Sequence, residues 1–141
     1  MSASGFSKVG ASAKKRLYGP RAALVCGYAV AEQDLLLAML ERFHLNDLPA
    51  IFATGQDASR PVGELLTLAP SHGRGQESPL PRAIVLSGVT EKELQTFMAA
   101  WKHLGLPRQN WATLTPTSET WELLELLAEL DLERLALSTK S

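Results

Sequence analysis

Short continuous apolar runs alternate with segments of helical period along most of this chain. Ala22 to Tyr28 (AALVCGY) is an apolar run closed by glycine, the pattern of a strand buried on both faces. From Val30 to about Leu45, Leu36, Leu37, Leu40 and Phe43 recur at helical spacing. Pro49 to Thr54 is a second strand, Gly55-Gln56-Asp57 a turn, and Pro61 opens a short helix to Leu68. Ala83 to Leu86 is a third strand. Thr90 and Glu93 then form a capping box at the start of a helix whose buried stripe is Leu94, Phe97, Met98 and Trp101. Gly105 and Pro107 end that helix near Leu104. Trp111 to Leu114 alternates in character, as an edge strand does. The last helix begins near Thr117 or Ser118.

That last helix departs from the usual pattern. Leu123, Leu126, Leu127 and Leu130 make one apolar side, and Trp121, Leu124, Ala128, Leu132 and Leu135 make another. A surface helix packed on one side needs a single stripe of about 100°. The second set is therefore expected to meet something outside the domain.

A shift of 61 positions lays one half of the chain on the other without a gap. Pro20-Arg21-Ala22 meets Pro81-Arg82-Ala83, Gly27 meets Gly88, and Glu32 meets Glu93. Thr54 meets Thr115, and Glu64-Leu65-Leu66 meets Glu125-Leu126-Leu127. The expectation is one α/β domain over 20–137, built from two pseudo-repeated strand–helix–strand–helix halves (20–69 and 81–137) joined by a connector, 70–80. Right-handed crossovers favour a parallel four-stranded sheet of order 2-1-3-4 with helices on both faces; a ferredoxin-like sheet is the alternative. The connector is rich in Gly, Pro and Ser and reads as mobile. Residues 1–19 lack an apolar period and read as a disordered basic tail.

Composition narrows the class further. The chain has 141 residues, a formal charge of −1 and one cysteine. That size suits one domain, and a lone cysteine makes no internal disulfide, which fits a cytoplasmic setting. No apolar run approaches the ~20 residues of a membrane span. Charge is segregated, with a basic N-terminal segment and an acidic last helix. Only the tail could touch nucleic acid, and weakly, because the domain has no basic patch interleaved with aromatics.

The stretch VLSGVTEKELQTFMAAWKHLGLPRQNWATLTPTSETWELLELL resembles proteins of domain-of-unknown-function family 3783. The features that carry the resemblance are Ser87-Gly88 ending a strand, the Thr90 to Leu104 helix and the turn Gly105-Leu106-Pro107. Leu114-Thr115-Pro116-Thr117 before Trp121 completes the set. The likeness runs over roughly 20–137. It implies the fold and no activity.

Candidate chemistry is sparse. His44, His72 and His103 are scattered without ligand spacing, so no metal site is expected. Cys26 reads as a small core residue with no visible base beside it. There is no G-x-G-x-x-G or Walker pattern, so no cofactor is expected. In an open parallel sheet, ligands bind beyond the carboxyl ends of the strands at the switch point, which Gly27 and Gly88 would flank. Helix N-termini there could receive an anion. The binding candidates are thus Gly27, Ser87, Gly88, Thr90, Thr115, Thr117 and Ser118, each of which also serves as a turn or capping residue. The interaction candidates are Trp121, Leu124, Leu132 and Leu135. With no nucleophile or acid–base pair, an enzyme ranks behind a ligand-binding regulator. Both rank behind a non-enzymatic accessory module that contacts a protein partner or forms a homodimer.

Overall fold

A computed structural model describes residues 15–140, with side chains to residue 135. Most of the expected tail, 1–14, lies outside the described residues. The elements are β1 (Ala22–Cys26), α1 (Val30–Arg42), β2 (Ala50–Ala53), α2 (Val62–Leu65), β3 (Ala83–Ser87), α3 (Glu91–Lys102), β4 (Asn110–Thr113) and α4 (Leu123–Lys140). Short 3-10 turns, Gly55–Asp57 and Ser118–Thr120, follow β2 and β4.

The four strands form one sheet of order β2-β1-β3-β4. The expected order is observed, but the sheet is mixed rather than parallel. β1 pairs parallel with β2, and β3 with β4, while the central pair β1–β3 is antiparallel. The connector explains the reversal. After α2 the chain passes once more along the outer edge of β2, where the Ser71 N–H donates to the Ala50 carbonyl and the Phe52 N–H to that of His72. This extra pass brings the chain to the end of the sheet where β1 and β2 finish. Leu80, buried there, meets Gly27, and β3 starts from that end.

The reversal also decides where the helices go. In a parallel sheet of this order, right-handed crossovers would step outward in opposite directions and place α1 and α3 on opposite faces. With β3 reversed, both helices fall on the same face. Alternation along the strands divides the core accordingly. Ala23, Val25, Phe52, Ile84 and Leu86 meet Leu36, Leu40, Phe97 and Trp101 of α1 and α3. Ala22, Leu24, Cys26, Ile51 and Val85 meet Val62 and Leu65 of α2 and Leu123, Leu126 and Leu127 of α4. Every residue of β1, β2 and β3 is buried, whereas β4, at the edge, is half-exposed throughout.

Two contacts across the middle of the domain join positions 61 apart. Leu24 faces Val85, 61 positions on, at the centre of the β1–β3 ladder. The halves meet again where Pro61 bridges Glu122, also 61 apart. There the Val62 N–H donates to the Trp121 carbonyl at 2.9 Å, and the Leu123 N–H to that of Arg60 at 3.0 Å.

Two segments expected to be loose are held. Residues 15–19, counted with the tail, dock on the domain: the Leu17 N–H donates to the Val89 carbonyl and an Arg16 guanidinium N–H to that of Gly88. The connector is tied by Gln33, whose side chain donates to the Gln76 carbonyl and accepts from the Gly75 N–H. Asp57 accepts from Thr54 and hydrogen-bonds the His72 ring at 3.2 Å. Neither tie has an apolar period, so neither was visible in the hydrophobic pattern. No described helix is long and apolar enough to cross a membrane.

Candidate functional site

Because β1 and β3 run in opposite directions, the arginine before each strand lies beside the end of the other. From there it reaches the first turn of the helix that follows. Arg21 donates to both carboxylate oxygens of Glu93, at 2.7 and 2.6 Å. Arg82 donates to Glu32 at 2.6 Å and to the Gly27 carbonyl at 3.3 Å. Each glutamate is the third residue of its helix and also accepts from the cap backbone, Glu32 from Ala29 and Glu93 from Thr90, both at 2.9 Å. The Arg21 hydrogen bonds hold the Glu93 carboxyl at about 2, against its burial. Burial works against ionisation of Glu32 too, yet Arg82 and the Ala29 N–H prevail and its pKa is lowered.

The carboxyl ends of β1 and β3 therefore lie at opposite ends of the sheet, and Gly27 and Gly88 do not flank one switch point. Both have positive φ, and a Cβ on either would overlap backbone: Leu80 and Arg82 at Gly27, Gly19 and Arg21 at Gly88. The close crossing of arginine-bearing backbone explains the two glycines without a ligand. Ser87, buried, donates to the Tyr18 carbonyl, and Thr90 accepts from the Glu93 N–H. Ser118 accepts from the Thr115 N–H and donates to the Thr115 carbonyl. Thr117 accepts through its carbonyl from Thr120. Thr115, Thr117, Ser118 and Trp121 do come together, along a groove of about 380 Å³ beside β4 that also holds Glu129 and Glu133.

A larger cleft of about 620 Å³ opens at the other end of the sheet, where β1 finishes and β4 starts. Arg82, Trp101, Arg108, Gln109, Asn110, Trp111, Asp131 and Arg134 line it. Its wall is a hydrogen-bonded chain: Trp101 Nε1–H donates to the Tyr28 hydroxyl at 2.8 Å, which donates to Gln109 Oε1 at 2.5 Å. Burial pushes the Tyr28 phenol up to about 12, partly offset by the Trp101 N–H. The Arg82 guanidinium lies 4.4 Å over the Tyr28 ring. Trp101 and Trp111 meet edge to face at 5.4 Å. Asp131 accepts from Asn110 at 2.7 Å and from Arg134 at 3.5 Å. Buried N–H groups of Arg82 and of Gln109 have no hydrogen-bond partner.

The equivalent cleft of the first half is smaller, about 310 Å³. Its Leu40, Asp47, Leu48, Pro49, Ala50 and Pro70 stand 61 positions before Trp101, Arg108, Gln109, Asn110, Trp111 and Asp131. There Asp47 receives two hydrogen bonds from Arg21, at 3.1 and 3.2 Å. The larger cleft went unnoticed in the sequence because its residues are scattered from 82 to 134. Its visible trace was the opposite charge at two matched positions, Asp47 and Arg108.

The last helix is apolar on both sides, as its pattern implied, and the domain covers one of them. Leu123, Leu126 and Leu127 are buried, while Leu124 is 50%, Leu132 61% and Leu135 55% exposed. Trp121 is instead half-buried against the core below α4. A shallower apolar groove of about 530 Å³ lies between α1 and α3, with Leu35 and Phe43 exposed on it. Cys26 is fully buried, and burial lifts its thiol to about 12. No described group of three His, Cys, Asp or Glu side chains could hold a metal ion.

Residues 82–137 match the family model of a domain of unknown function, DUF3783, the family that the 87–121 motifs resemble. No curated protein matches the chain, and no solved structure does.

Proposed function

We propose that the protein is a non-enzymatic interaction module and that the outer face of α4 is its contact surface. The observation that carries this is the exposure of Leu124 and Leu132 on a helix whose opposite face is fully engaged with the sheet. A row of large side chains left in water marks an interface more often than chance. Glu125 and Glu129 border the row on one side and Asp131 on the other. In a two-fold pairing of α4 with itself, these borders would bring like charges together. The occupant is therefore a partner segment with apolar side chains bordered by lysine or arginine. The equivalence of the two halves supports reading the domain as a duplicated unit whose second copy gained this helix. A single buried thiol fits a reducing, cytoplasmic location.

The test is a fluorescence-anisotropy titration with a labelled amphipathic helix carrying leucines at i, i+4 and i+8 between lysines. Saturable binding is expected, weakened at least about tenfold by Leu124→Glu with Leu132→Glu and by exchanging the peptide's lysines for glutamates. Equal binding of both peptides would contradict the acidic-border reading. A solution dimer dissolved by the double substitution would assign the face to a second copy instead.

A further inference from the structure

The two clefts carry opposite charge at one matched position, aspartate in the first and arginine in the second, and that reversal points to a ligand. In the first half, Asp47 supplies a carboxylate that takes two hydrogen bonds from Arg21. In the second half, Arg108 stands at the matched position, beside Arg82, the counterpart of Arg21. Glu32 balances Arg82, and Asp131 balances Arg134. Arg108 is exposed and has no ion-pair partner among the described residues. Among the residues lining the same cleft, two guanidinium nitrogens of Arg82 and the Gln109 amide nitrogen are buried without acceptors, against one, Nε, on the matched Arg21. Buried donors without acceptors are uncommon in folded proteins, and an unpaired cation lining the same cleft favours an anion. The cleft is about twice the size of its mate, and the indoles of Trp101 and Trp111 line it.

We propose that this cleft binds a small organic carboxylate with an apolar or aromatic body. The carboxylate takes the place that Asp47 fills in the first half, held by Arg108 with Arg82, and the body rests against the tryptophans. The preference for carboxylate over phosphate rests on the first half, where the matched Arg21 gives two hydrogen bonds to the Asp47 carboxylate.

Titrations of the full chain with benzoate, acetate and inorganic phosphate, at ionic strength matched with chloride, test this through tryptophan fluorescence and melting temperature. Benzoate is expected to saturate with a Kd of about 1 mM, as befits one or two charged hydrogen bonds and an aromatic wall, and to raise the melting temperature. Acetate should bind more weakly. Arg108→Ala, at an exposed position, should keep the melting temperature of the free protein and weaken benzoate about tenfold. Arg108→Asp, which installs the side chain of the first half, should abolish binding, and Asp47→Ala should leave it unchanged. Three results would overturn the proposal: no saturable response, a response that survives Arg108→Ala, or saturation by phosphate alone.

Discussion

The two halves of this domain share a frame and differ at their ends. In both, an arginine before the strand crosses to a glutamate in the first helical turn of the other half, and a glycine lets the backbones approach. In both, the turn after the outer strand is closed by a side chain, Asp57 or Ser118, that accepts from a threonine N–H. Beyond that point they part. The first half stops its second helix after one turn and runs through Pro70, Gly73 and Gly75 along the edge of β2. The second half has no proline or glycine after Pro116 and continues as an 18-residue helix. What the halves share holds the fold together. What they do not share, the long helix and Arg108, is where surface and charge are left unspent.

The comparison can be broken most severely at its largest packing difference. Trp101, 61 positions after Leu40, meets Trp111 edge to face and donates to buried Tyr28. Trp101→Ala should cost about 3–5 kcal/mol and Leu40→Ala about 2–5 kcal/mol by chemical denaturation. A loss below about 1 kcal/mol at Trp101, the surface range, would place the tryptophan outside the core.

The glycines test the shared frame. Gly27→Ala and Gly88→Ala each force a side chain onto backbone at positive φ, so each should cost at least about 1–3 kcal/mol, and by similar amounts. A loss at one position alone would show that the two crossings are not equivalent.

A smaller effect separates the two ion pairs. Glu93 titrates near 2 in the folded protein, well below an ordinary glutamate at 4.5. A depressed carboxyl contributes stability above its unfolded pKa that is lost as pH falls through the folded one. Stability should therefore decline between about pH 4.5 and 2, and urea midpoints for Glu93→Gln should show a shallower decline there. An unchanged slope would remove Glu93 from the acid transition. The least perturbing probe is Cys26, whose buried thiol at about 12 should react with a disulfide reagent only as fast as the chain opens.

Local features were legible in the residues. The Thr90–Glu93 capping box is observed, because its partners are three positions apart and depend on nothing distant. Strand order was legible from the buried character of β1 and β3. The direction of β3 was not, since it depends on the extra pass of residues 71–73 along β2, which is held by backbone bonds and by Gln33, Asp57 and His72. Reading the sheet as parallel placed Gly27 with Gly88 at one end and hid the crossed Arg–Glu pairs. Arg21 matched Arg82 and Glu32 matched Glu93 in the repeat, but these like-charged matches point to crossed ion pairs only once the strands are antiparallel.

The central distinction, between a shared core and a free outer face of α4, is tested most directly by paired denaturant unfolding. One variant carries Leu124→Glu with Leu132→Glu, the other Leu123→Glu with Leu127→Glu. The first should keep its unfolding free energy within about 0.5 kcal/mol per substitution of the parent. The second should lose several kcal/mol or fail to fold, because each glutamate would bury an unpaired charge. Comparable losses in both would mean that both sides of α4 are core and that no face is left for a partner.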